Sequence, residues 1–309
     1  MEYFGLILIL IAGILSPVQT GVNSLLREHV HTPVLSSTVS FTVGLLSLTI
    51  LTLITCGGLI PSGEVISALP WWAWGGGLLG VIALTGNIIL FPKLGGVLTV
   101  LIPMIGQIIA SMLIDSFGWF GSTVIPMGTS RIAGLVLVLA GLMLYMLMKP
   151  RSKGAASGAG LLPWAMLGLL VGFAFATQPV LNGRLTTALG SSIHSACLSF
   201  LISTVILIAM VLVIPDERRS LASINVRGIS WWKWIGGGLL GAYYVTVFAL
   251  VTPIAGIGIT ALVGILGMIL CSTVIDKKGL FGSEPQTIRP AQYVGLLIVF
   301  AGVVCIKML

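Results

Sequence analysis

Charge is what this sequence has least of. Asp, Glu, Lys and Arg make up 7% of the 309 residues, against 57% for the apolar types, and the mean hydropathy is +1.15. A soluble domain carries about 25% charged residues, so no water-soluble fold of this length would hide so much apolar surface. A lipid-facing exterior removes that demand. The eight acidic residues, Glu2, Glu28, Glu64, Asp115, Asp216, Glu217, Asp276 and Glu284, all fall at the ends of apolar runs or between them. No Asp, Glu, Lys or Arg stands at the middle of a run, so a buried-carboxylate proton switch is not visible. The four cysteines, Cys56, Cys197, Cys271 and Cys305, form no CxxC pair and read as free thiols packed like small apolar groups. HExxH, acidic metal clusters, GxGxxG and the P-loop are all missing. No metal or cofactor is expected, and no nucleophile–base pair points to an enzyme. His29 and His31, two apart, cannot share a helix face and are placed in a loop. His194 opens an apolar run at an interface. The net charge of +7 reads as Lys and Arg kept in cytoplasmic loops rather than as an affinity for nucleic acid.

What the sequence does have is long apolar runs. Ten can be marked, roughly 3–25, 34–56, 71–91, 95–114, 131–148, 162–185, 191–213, 231–251, 255–275 and 291–307. Most are near the ~20 residues that carry a helix across the hydrocarbon core, and the alternating polarity of barrel strands is absent. The opening MEYFGLILILIAGIL has no basic region before it, the first basic residue being Arg27, and is expected to stay as a helix rather than act as a signal peptide. Midway, KPRSKGAASGAG at 149–160 has the composition of a flexible linker. The expected architecture is an all-α membrane protein with one unit over 1–148, a linker over 149–161 and a second unit over 162–309.

The two units repeat one another. WWAWGGGLLG begins at Trp71 and WWKWIGGGLLG at Trp231. Beyond the inserted residue the offset is 161: Pro92 matches Pro253, Gly106 matches Gly267, Ser111 matches Ser272 and Asp115 matches Asp276. Gly118, Phe120 and Gly121 then match Gly279, Phe281 and Gly282, and Gly134 and Gly141 match Gly295 and Gly302. Near the start of each half the offset is 159, pairing Gln19, Asn23 and Ser40-Phe41 with Gln178, Asn182 and Ser199-Phe200. Chance similarity between Leu- and Gly-rich helices would not hold one register through Trp, Pro, Asp and Phe. Five crossings per half is an odd number, so the second half is expected upside down, giving ten transmembrane helices as two five-helix inverted-topology repeats.

With the N-terminal side called side one, twelve of the fifteen Lys and Arg fall on side two, leaving Arg131, Arg184 and Lys307. The positive-inside rule then makes side two cytoplasmic, with the linker, and puts both termini outside.

Both halves carry the same ordered motifs. In the first they are Gln19-x-x-x-Asn23, Ser40-Phe41-x-x-Gly44, Trp72-x-x-x-Gly76-Gly77-x-x-Gly80 and Pro92-x-x-Gly95. Gly106-Gln107 follows, ahead of Ile114-Asp115-x-x-Gly118, then Arg131-x-x-Gly134. The succession resembles the YdcZ-type inner-membrane exporters, a branch of the drug/metabolite transporter superfamily, over nearly the whole chain and twice. The resemblance implies five-helix units, here fused, a place in the bacterial inner membrane and a transport role with poorly defined substrates. One departure is Met268, which stands where the first half has Gln107.

The candidate solute-binding residues are the amides within the runs. Gln19 and Asn23 share a helix face, as do Gln178 and Asn182. An uncompensated amide in hydrocarbon costs several kcal/mol, so these groups must face a cavity or bond one another as interhelical glue. Both readings stand on the sequence alone. Pro17 and Pro179 beside them can open the helix. Gln107 and Asn87 are further cavity candidates, with Thr85 and Thr246; Tyr243 and Tyr244 would form an aromatic wall or pack between helices. The tryptophans at the start of the third and eighth runs read as an interfacial belt and the glycines after them as close-packing positions. Asp115 and Asp276 should end helices or pair with basic groups. The whole predicts an exporter of a small polar organic solute working by alternating access, with lipid and solute as partners, H+ or Na+ as a coupling ion, and a monomeric or homodimeric state. A passive channel or facilitator through the same cavity is the alternative.

Overall fold

A computed structural model describes residues 2–122, 124–148, 158–224, 228–283, 285, 287 and 289–308. Most of the expected linker, with Lys149, Arg151 and Lys153, lies outside the described residues, as do Arg227 and Glu284. Every regular element among the described residues is helical. The long helices are α1 (Glu2–Val30), α2 (Pro33–Cys56), α4 (Gly76–Phe117), α5 (Thr129–Met148), α6 (Leu162–Leu189), α7 (Ser192–Val213), α9 (Trp231–Ala255), α10 (Ile257–Lys278) and α11 (Pro290–Met308). Two short ones, α3 (Gly63–Ala68) and α8 (Pro215–Ala222), lie in loops that the apolar pattern leaves blank.

Among the described residues, eight helical stretches are long and apolar enough to cross a membrane: Tyr3–Val30, Pro33–Cys56, Trp71–Leu94, Leu98–Phe117, Leu162–Leu189, Ser192–Val213, Trp231–Ala255 and Ile257–Lys278. The fifth and tenth expected crossings are shorter apolar stretches, Thr129–Tyr145 and Pro290–Ile306, at the lower limit of what spans a bilayer. The protein is therefore an all-α membrane protein.

The third and fourth expected helices are one continuous helical element, α4, of 42 residues. Drawn straight it would be about 63 Å long, twice the ~30 Å hydrocarbon core. It does not run straight. Gly86 abuts Val171 and Leu167 of α6, while Gly106 abuts Leu169 of the same helix. Residues 20 positions apart would be ~30 Å apart on a straight helix, yet both meet one short stretch of α6. The chain folds back between them, where Pro92 withholds a backbone donor, and helical backbone continues through the bend. In the second half the matching place is an open break. α9 ends at Ala255, Gly256 takes φ 84° and ψ 157°, and α10 begins at Ile257. Glycine is needed at such a φ because no side chain obstructs it.

Local signals recur in pairs. The Thr32 side chain caps α2 by accepting from the Leu35 amide, and Ser191, its counterpart, caps α7 by accepting from the His194 amide. Left-handed Gly118 and Gly279 end α4 and α10. Each is followed by a turn with a phenylalanine at positive φ, Phe120 at 59° and Phe281 at 57°.

Contacts between the halves are also reciprocal. Gly76 abuts Asn182 and Gly80 abuts Gln178; Gly237 abuts Asn23 and Gly241 abuts Gln19. Gly134 faces Gly302 and Gly141 faces Gly295, so the matched helices α5 and α11 run antiparallel. Phe41 and Phe200, a matched pair, meet with ring centroids 4.8 Å apart. One apolar core surrounds them with Ile88, Tyr244 and Phe248; a second joins α4, α5, α10 and α11 through Met104, Leu142, Tyr145, Leu262 and Val299.

Candidate solute site

The six candidate amides separate into two environments. Gln19, Asn23, Gln178 and Asn182 lie at the seam between the halves, against the glycines just named. Asn23 is fully buried and its Nδ2 donates to Ser40 Oγ at 3.3 Å. The backbone carbonyls of Asn23 and Asn182 accept from the hydroxyls of Ser36 and Ser195, each at 2.7 Å. α1 and α6 run unbroken through Pro17 and Pro179, so the prolines open no gap beside these amides.

Asn87 and Gln107 instead line a narrow internal cavity of about 20 Å³ with Ser16, Thr20, Thr99 and Phe175, space for a water molecule or two. The fold-back of α4 creates this arrangement, because it brings Asn87 on one arm beside Gln107 on the other. Met268, the counterpart of Gln107, lines the same cavity. Asn87 Oδ1 is buried without a protein donor. Of the other polar groups, Thr85 donates to Ser37 Oγ at 2.8 Å. Tyr244 stacks on Phe248 at 4.3 Å and meets Phe175, a cavity wall, edge-on at 6.0 Å.

A larger vestibule opens toward the ends that the loop order assigns to side one. It consists of two adjoining cavities of about 270 and 290 Å³ that share Asp115, Ile125, Gly256 and Ile257. The first reaches inward to Ile108 on α4, next to Gln107. Asp115 Oδ2 accepts from Arg131 at 3.2 Å, with both side chains largely buried. This is the pairing expected for a carboxylate at a helix end. Arg184 lines the second cavity and is held by the turn after α4, its Nε donating to Phe120 O at 3.0 Å and its Nη2 to Gly121 O at 2.6 Å. The break at Gly256 exposes the first turn of α10, which has no side-chain cap, to the same space. In the sequence Arg184 stands out only as a charge on one side, and Arg131 as a charge and as the start of Arg131-x-x-Gly134. The available signal was that both lie on the side poorest in basic residues.

One histidine departs from expectation. His29 belongs to the last turn of α1, with Nδ1 2.9 Å from Leu25 O, because the helix extends beyond the apolar run. His31 alone of the pair is in the connection, at φ 71°. His194 is buried, its Nε2 2.9 Å from Leu59 O. Trp71 and Trp231 are exposed, while Trp72 meets Phe120 edge-on at 5.4 Å. Among the described residues no group of three His, Cys, Asp or Glu is placed to hold a metal.

These features define a polytopic helical membrane protein that encloses polar cavities between two matched halves. The family described as "Putative inner membrane exporter, YdcZ" matches residues 4–144 and again 163–305, and the chain belongs to it. No curated protein matches. A solved crystal structure is similar over 97% of this chain and 96% of its own, with a TM-score of 0.58 and 14% identity; at that identity the likeness shows the fold alone.

Proposed function

We propose that the protein is a secondary transporter that exports a small polar organic solute by alternating access, built as ten crossings in two inverted five-helix repeats. Side two is cytoplasmic in this reading, with both termini outside. The observation that carries it is a difference between matched segments. The first half is helical through Gly95, where the second half is broken at Gly256 and opens the vestibule. Two halves of like sequence have two like conformations available to them. If they exchange conformations, the break closes on side one and opens on side two, at small net cost because similar contacts are lost and gained. The reciprocal contacts of the asparagines and glutamines with glycines favour this reading, since each interface has a ready counterpart. In the present state a solute enters from the vestibule and is read by Gln107 and Asn87 once the inner cavity widens. Gln19, Asn23, Gln178 and Asn182 form the seam that shifts around it.

The test places single cysteines at Ser122 and at its counterpart Ser283, in a chain freed of its four native cysteines. A hydrophilic maleimide should label the Ser122→Cys variant faster, and a transported solute should shift the ratio toward Ser283→Cys. Labelling of both at fixed rates, with solute flux that ignores an opposing gradient, would indicate a passive facilitator and sink alternating access.

A further inference from the structure

The vestibule carries an asymmetry that the repeat does not. Arg131 corresponds to Gln292 and Arg184 to Leu25, so neither arginine has a basic counterpart in the other half. Among the described residues, the charged side chains on the two adjoining cavities are Asp115, Arg131 and Arg184, an excess of one positive charge. The uncapped first turn of α10 adds partial positive charge to the same space. Arg131 uses one donor on Asp115 and directs Nη1 toward Ile125 O at 3.4 Å. Arg184 uses Nε and Nη2 on backbone carbonyls. A guanidinium has five N–H donors in a planar fork, so each retains donors for a third party. The backbone bonds hold the Arg184 fork in place before any ligand arrives.

We propose that the vestibule recognises a carboxylate, carried by an organic anion or a zwitterion, with Arg131 and Arg184 as the residues that select it. Asp115 occupies the Arg131 fork when no solute is present, and an incoming carboxylate exchanges for it. A guanidinium fork pairs with a carboxylate through two parallel bonds, so the exchange keeps the buried arginine paired throughout. The proposal names the substrate class of the transport site and rests on that reading of the vestibule.

The test is thermal unfolding of the purified full-length protein in detergent, at constant ionic strength. The probes are succinate, glycine betaine, choline and mannitol. Succinate and glycine betaine should raise the Tm in a saturable way, with choline and mannitol inert. Arg131→Gln and Arg184→Gln should each weaken succinate binding by about tenfold or more, the loss of one charge-assisted hydrogen bond. Asp115→Asn should strengthen it, because the internal competitor for Arg131 is gone. A merely structural ion pair predicts that all three variants lower the starting Tm and leave the succinate shift unchanged, and that result would overturn the proposal. Equal shifts from choline or mannitol would overturn it too, as would no shift from any probe. The cysteine-labelling ratio at Ser122 and Ser283, without probe and with them, separates the two ideas. Carboxylate binding without a changed ratio sinks alternating access and keeps the anion site. A ratio that responds to mannitol and not to succinate does the reverse.

Discussion

Asn23 on α1 occupies the space that a side chain on Gly237 of α9 would need, and it donates to Ser40 Oγ from that position. The amide is therefore a packing element first, fitted to a bare backbone. Gly237→Ala should lower stability by roughly 1–3 kcal/mol, the usual cost of overpacking. Asn23→Ala alone should also destabilise, by leaving a gap and an unpaired hydroxyl. The two changes share one site, so the double variant should be more stable than the sum of the singles predicts. Thermal unfolding of the four proteins in detergent measures the coupling; simple additivity would show that the contact carries no energy.

Asn87 makes a different case, because it lines a cavity rather than a bare glycine backbone. Its Oδ1 has no protein donor and faces a cavity with room for water; left dry, such an oxygen would cost about 1–3 kcal/mol. Asn87→Leu should therefore leave stability unchanged or raise it. If the cavity is the solute path, the same variant should reduce transport at least about tenfold, as expected where a site built to hydrogen-bond a polar solute loses its group. Gln107→Leu should reduce transport alike, since Gln107 lines the same cavity. Solute uptake into proteoliposomes, read beside the Tm, decides the matter: a large fall in Tm with proportionate loss of transport would make both residues structural.

Much of this arrangement was legible in the chain. Apolar run length located the long helices, though not the fusion of the third and fourth into α4, and the register through Trp71, Pro92, Asp115 and Phe120 revealed the second half. The division of the amides was not legible. Helix periodicity says that Gln19 and Asn23 share a face, and says nothing of whether that face meets glycine or a cavity. That answer depends on tertiary packing: Gly237 and Gly241 of α9 back Asn23 and Gln19, while the fold-back of α4 brings Asn87 and Gln107 together from residues 20 apart. The Gly95–Gly256 difference was equally hidden, because both halves have glycine there, yet one is helical and the other open. The vestibule was missed for a third reason. Arg184 acts through backbone carbonyls of a distant turn, and carbonyls leave no mark in a sequence.

Orientation can be read from a native thiol. Cys56 is exposed at the C-terminal end of α2, close to Ser191, whereas Cys197 is buried. If side one faces outward, a membrane-impermeant maleimide added to intact cells should label Cys56 and spare Cys197. Labelling of Cys56 that appears only after permeabilisation would reverse the assignment and make the poorly basic side cytoplasmic, against the charge rule.

The matched turns supply the last prediction. Phe281 holds φ at 57°, and its ring packs over Gly21 of α1, on the side opposite the vestibule. Its counterpart Phe120 holds φ at 59° but meets Trp72, within a turn that Arg184 fastens. A bulky residue at positive φ is strained, so the ring contact must offset a backbone cost. Phe281→Ala loses the contact and keeps the strain. Phe281→Gly loses the contact and the strain together, and should be the more stable of the two by about 1–2 kcal/mol. Both variants should open side two, raising maleimide labelling of a cysteine at position 283 relative to the parent. Gly21→Ala should do the same from the other partner, since its methyl group would displace the ring. Unchanged labelling in all three would mean that the Phe281 turn ends a helix and closes nothing.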